Sequence, residues 1–231
     1  YKNMIGNCSA DVVSSTVPCS NKWMIGTVNS FFIGFVATFI ATTLGTLAAL
    51  GLSRPHMPYK GLIMAILISP MIVPLIITAA GMFFFYARIN LVYSFTGIIL
   101  AHVALATPFV VITVTATLVG FDMNMVKASQ SLGARPVRTF FKVIMPLILP
   151  GVISGALFAF ITSFDEVVIV MFMASLDQLT IPKQMWAGIR QEISPVILCM
   201  ATCLVILSIL LLTTVELLRR RSEKLRGIKS R

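Results

Sequence analysis

FDMNMVKASQSLGARPVRTFFKVIMP, residues 121–146, lies between two long apolar runs. Ordinary connections between packed elements are only about four to six residues long. A folded-looking interruption of this length in a chain that is otherwise oil points to a surface gripped by something outside the membrane.

Working outward, the 231 residues are 58% hydrophobic and 11% charged, whereas soluble domains carry about 25% charged residues. This is the composition of an integral membrane protein. Five apolar stretches, approximately Met24–Leu52, Leu62–Tyr86, Val92–Val119, Leu147–Met173 and Val196–Leu218, are each long enough to cross about 30 Å of hydrocarbon as helices. Their continuity disfavours strands, which would alternate over about ten residues. Pro70 and Pro74 predict a kinked or partly unwound second span, and Ala106-Thr107-Pro108 a bend in the third. In the first span Gly34, Ala37, Thr38, Ala41, Thr42, Gly45 and Ala48 form a small-residue face, read as packing within the subunit rather than as a dimer seam.

Lysine and arginine placement sets the orientation. With the N-terminus outside, 13 of the 18 basic residues fall on the cytoplasmic side, in Ser53–Gly61, Gly120–Pro146 and the C-terminal tail. The predicted layout is an outer N-terminal segment 1–23, a transmembrane domain 24–218 with a cytoplasmic loop 120–146, and a basic cytoplasmic tail 219–231. Tyr1–Lys22 is largely polar and has no initiator Met, so a fragment, or a further span before it, is expected. The basic residues flank spans without aromatic interleaving, which argues for topology and against nucleic-acid binding. Arg219-Arg220-Arg221 reads as a headgroup anchor and Trp186 as an interfacial anchor.

Cys8 and Cys19 could pair in an oxidising compartment. Cys199 and Cys203 read as packing residues, and His56 and His102 as isolated, so no metal site is assigned. No G-x-x-x-x-G-K-[ST] phosphate loop occurs, which leaves no nucleotide cofactor on this chain.

Within the 121–146 segment, the pattern predicts a helix over Met123–Leu132, a turn at Gly133-Ala134-Arg135 and a second helix over Pro136–Ile144. Glycine suits the left-handed residue that ends a helix, and proline the first turn of the next. Leu132, Phe140, Phe141 and Val143 supply an apolar side. On composition alone, an amphipathic helix lying on lipid headgroups is the favoured reading.

Lys127-Ala128-Ser129, Leu132-Gly133-Ala134 and Val143, Met145, Pro146 resemble the EAA loop of permease subunits of bacterial ABC importers: E-A-A, three residues, G, nine residues, I-x-L-P. Gly133 and Pro146 stand at that spacing, while Lys127 replaces the glutamate, Ser129 the second alanine, Val143 the isoleucine and Met145 the leucine. The resemblance implies an all-α polytopic fold, the type I ABC importer transmembrane domain, with five spans here and a sixth expected before them. It also implies coupling helices at Lys127–Leu132 that dock on a cytoplasmic ATPase dimer, where ATP binds, together with a second, homologous permease subunit and a periplasmic substrate-binding protein. The expected location is the bacterial inner membrane.

Asp165 and Glu166 are the only charged residues between Leu147 and Met173. One charge at the bilayer centre costs about 2.5–3.5 kcal/mol, so the pair is expected to face the interior, as part of a substrate pathway or as an anchor capping a helix break. Carboxylates attract a cation and repel an anion. The block Ser163–Val168, with Leu179-Thr180-Ile181-Pro182 and Ile193-Ser194-Pro195, is similar to the spermidine/putrescine branch of the importers, which implies polyamine import. Other solutes of the same importer class remain open at this point, as does a self-contained cation channel or carrier.

Overall fold

The computed structural model describes residues 22–54, 57–119, 124–191 and 195–225. Cys8, Cys19, His56 and the last six residues of the tail lie outside the described residues. Among the described residues there is no strand. Four helices are long and apolar enough to cross a membrane, and a bent pair makes a fifth crossing if counted as one.

Three of these helices build the core: α1 (Lys22–Leu52), α4 (Phe95–Val119) and α7 (Met145–Phe164). Between the first two, the second span is broken. α2 (Lys60–Ile72) and α3 (Leu75–Arg88) meet at 103°. Pro70 is accommodated inside α2, but Pro74 has no N–H to offer, and Val73 before it is extended (φ −72°, ψ 135°). The expected kink is thus a near right-angle corner. α4, by contrast, runs unbroken through Pro108, and the Thr107 hydroxyl donates to Val103 O at 2.6 Å in the turn before it.

After α4 come α5 (Asn124–Ser131) and α6 (Pro136–Thr139), and then one continuous helical rod, Pro136–Phe164, that takes in α6, a π turn at Phe140–Ile144 and α7. The span expected to start at Leu147 therefore has no boundary there. The π turn explains why Pro146 does no damage: Met145 N–H already reaches back five residues to Phe140 O, and the next residue, Pro146, has no donor to place.

The span expected to end at Met173 stops early. α7 ends at Phe164, residues 165–167 are non-helical, and α8 (Val168–Met173) follows. The stretch between the fourth and fifth predicted spans contains a 3₁₀ turn (Leu176–Gln178) and α9 (Ile181–Gln191). Ile181 and Met185 of α9 join Phe160, Phe164 and Met200 in an apolar cluster, which is why this stretch is ordered as helix. α10 (Pro195–Leu225) continues past Leu218, so the first part of the basic tail, through Leu225, is a helical extension of the last span.

Polar ties close the end of the molecule opposite the 121–146 loop. Asn29 Nδ2 donates to Asp177 O (3.1 Å) and Leu179 O (3.0 Å), and Ile181 N–H donates to Ser30 Oγ (2.9 Å). Tyr93 N–H donates to Met173 O (3.0 Å), and Gln178 Nε2 to Tyr93 O (3.0 Å). Lys183 Nζ donates to Ala174 O at 3.0 Å, at the C-terminus of α8, and burial holds its ammonium below the usual lysine range.

The core helices touch through glycines. A Cβ at Gly45 of α1 would stand 2.6 Å from Val110 Cβ, and one at Gly155 of α7 would stand 3.0 Å from Val110 Cα. Val110, fully buried, is thus held between two backbones. Four residues before Gly155, Gly151 faces Thr117 and Thr113 of α4 just as closely, so α7 presents a Gly-x-x-x-Gly face. The small-residue face of α1 packs within the subunit, as expected, against α4 and α7.

In a lipid solvent this contact is held by dispersion across closely fitted backbones rather than by exclusion of water. Gly155→Leu is expected to lower stability by about 1–3 kcal/mol, seen as a fall of several degrees in Tm in detergent. Gly81→Ala, on a helical glycine with open space around it, is expected to leave Tm unchanged or slightly raised.

Candidate functional site

The break at 165–167 puts Asp165 and Glu166 in different surroundings. Glu166 is buried, and its Oε1 accepts from Ile169 N–H at 2.9 Å with the Val168 amide beside it. The carboxylate thus takes up the free amides at the start of α8, the competition with the helix ladder that breaks the span. Asp165 makes no such bond and stands exposed.

Both acids line one cleft of about 370 Å³, together with Leu75, Ile161, Thr162, Val167 and Val168. Leu75 is the first residue of α3, directly after the Pro74 corner. Two helix breaks, more than 90 residues apart in the chain, therefore face each other. The volume lies in the range of small-ligand pockets. The walls are apolar apart from Thr162 and the two carboxylates, and among the described residues no basic side chain lines them.

Behind the break, His102 Nδ1 and Ser163 Oγ are 2.8 Å apart, both buried. This bond ties α4 to the last turn of α7. Alone in the sequence, His102 carried no sign of a partner 61 residues on. Gly151 and Gly155 did carry a signal, the Gly-x-x-x-Gly spacing inside an apolar run.

The 121–146 loop is described from Asn124. α5 ends in a Schellman motif: Ala134 N–H donates to Ser129 O (3.1 Å), Gly133 N–H to Gln130 O (2.9 Å), and Gly133 is left-handed at φ 77°. Pro136 opens α6, as the spacing predicts. Ser129 Oγ and Thr139 Oγ1, 3.0 Å apart, join the two arms. Lys127, Ala128, Leu132 and Pro146 are exposed, and Ala134 half-buried. Leu132, at the apex, is 88% exposed.

The structure brings Lys127, Ala128, Ser129, Leu132, Gly133 and Ala134 together in one hairpin. It does not bring them near Asp165 and Glu166, since the 20 residues of α7 separate the two groups by about 30 Å. The link between them is the helical rod itself.

Comparison with known proteins adds the family. Residues 41–224 match the family described as binding-protein-dependent transport system inner membrane component. The spermidine/putrescine transport system permease protein PotC of Haemophilus influenzae is 31% identical over 196 residues, 85% of this chain and 76% of that protein. The putrescine transport system permease protein PotI of Escherichia coli K12 is 29% identical over 181 residues, 75% of this chain and 64% of that protein. Among solved structures, an inward-facing form of the MetNI methionine ABC transporter superposes with a TM-score of 0.64 at 20% identity, covering 94% of this chain and all of that one. An amino acid ABC transporter gives 0.62 at 18% identity over 87% of this chain and 94% of that one. At these identities the structural likeness concerns the fold, that of the type I ABC importer permease. The chain belongs to the inner-membrane permease components of binding-protein-dependent ABC importers.

Proposed function

We propose that this permease passes polyamines of the putrescine/spermidine class inward across the bacterial inner membrane, with the cleft at Asp165 and Glu166 as part of the path. The observation that carries the reading is the cleft itself: carboxylates and, among the described residues, no cation, in walls otherwise mostly apolar. A polyamine is ammonium groups on a methylene chain, so its charges match the acids and its stem matches Leu75, Ile161, Val167 and Val168. An anionic solute would be repelled. The roughly 30% identity to polyamine permeases supports the same substrate class.

The two acids have separate tasks. Asp165, exposed, meets the solute, and Glu166, bonded to Ile169 N–H, holds the break open. ATP is hydrolysed on a partner ATPase dimer. The partner docks on the hairpin at Lys127–Ala134 and moves the helical rod, so that the permease pair alternates between inward-open and outward-open states. A second, homologous permease subunit and a periplasmic binding protein complete the assembly. Residues 1–23 face the periplasm, and the loop 120–146 and tail 219–231 face the cytoplasm, in keeping with the basic bias.

Uptake of labelled putrescine and spermidine by the reconstituted complex tests this. Asp165→Asn is expected to cut ATP-driven uptake by at least about tenfold with Tm unchanged. Unchanged uptake in both Asp165→Asn and Glu166→Gln removes the pathway role. If vesicles holding this chain alone move solute without ATP, the importer reading fails.

Glu166→Ala is expected to cost about 1–3 kcal/mol of stability, because buried amides lose their acceptor. Glu166→Gln, which keeps an acceptor oxygen, is expected to recover most of it. Thermal unfolding in detergent separates the two variants.

A further inference from the structure

The hairpin carries charge that it does not balance. Lys127, Arg135, Arg138 and Lys142 are all exposed, and no acidic residue stands between positions 124 and 146. Among these cations sit Met125, Leu132, Val137 and Phe141, each at least half exposed. Bulky apolar side chains bordered by charge are what a binding surface offers, an apolar centre to bury and a polar rim to orient. The surface is also preshaped. The Schellman turn at Gly133 and the Ser129–Thr139 bond fix the two arms, so little ordering opposes docking. α5 packs against α6 and the π turn, which leaves Lys127 on a bent, self-supported projection rather than on one flat amphipathic helix of the headgroup type.

We infer that this hairpin seats in a groove of its ATPase whose rim is acidic, with Lys127 meeting a carboxylate. The inference rests on the coupling reading above, which supplies the occupant, and adds the sign of its charge. The EAA pattern places a glutamate where Lys127 stands, so an ATPase suited to that acid would meet Lys127 with a like or unmatched charge. Lys127 thereby selects the cognate ATPase as much by repelling others as by attracting its own.

The test uses the permease in nanodiscs of neutral lipid and the ATPase subunit that co-purifies with it, with binding measured at about 50 and about 300 mM KCl, where screening differs strongly. Wild-type affinity is expected to fall about tenfold or more across that range. Lys127→Glu and Arg135→Glu are each expected to weaken binding about tenfold at low salt, with Tm unchanged because both side chains are exposed, and Lys127→Arg to bind as wild type. Equal or tighter binding by Lys127→Glu, or affinity indifferent to salt, overturns the acidic groove. So does an unchanged ATPase affinity with Lys127→Glu losing only its binding to vesicles of anionic lipid, which assigns the cations to headgroups. Should the wild-type chain bind no ATPase at either salt, the coupling reading itself falls, a result independent of the residue at 127.

Discussion

Everything in this molecule hangs on the clasp around Val110. Its Cβ lies against Gly45 of α1 and its Cα against Gly155 of α7, so three helices approach one another as closely as their backbones allow. Such a junction tolerates no added methyl group without moving a backbone, and packed interiors resist such movement. With Gly151 against Thr117 and Thr113 nearer the loop, and His102 bonded to Ser163 nearer the break, α4 and α7 are joined along much of their shared length. The helix that enters the 121–146 loop and the helix that leaves it are therefore one stiff body.

That stiffness gives the two breaks their meaning. Interrupting a helix in lipid leaves amides and carbonyls without partners, which costs several kcal/mol each unless something replaces them. At 165–167 the replacement is the Glu166 carboxylate; at 73–74 proline removes one donor outright. The remaining disruption is collected in one place, the cleft, where irregular backbone meets a cavity instead of hydrocarbon. Asp165 is the charged group left uncommitted there. In the proposed scheme the rod carries motion from the hairpin to this cleft without a joint between them.

The spans, the hairpin and its turn were legible in the sequence because each rests on local chemistry: apolar runs of sufficient length, Gly133 where only a left-handed residue fits, Pro136 where a missing N–H is harmless. The prolines marked the second span as distorted, but its 103° corner depends on what α3 packs against, and no local pattern encodes that. The acidic pair was visible as an anomaly, whereas its division into a bonded Glu166 and an exposed Asp165 was not, since that follows from where the helix breaks. His102 was illegible for the same reason: a buried histidine is explained only by its partner, and Ser163 is remote in the chain. α9 was missed because its polar composition resembles a loop, and only Ile181 and Met185, packed on Phe160 and Phe164, reveal it as structure.

The ties at Asn29 and Ser30 bear on how the chain is made. Their partners, Asp177, Leu179 and Ile181, lie about 150 residues downstream. At synthesis rates of about 5–20 residues per second, α1 waits about 8–30 s before those partners are made. During that interval the polar end of α1 must be sheltered by the insertion machinery, by lipid headgroups or by water. Among the described helices α1 is thus laid down early and secured late at that end.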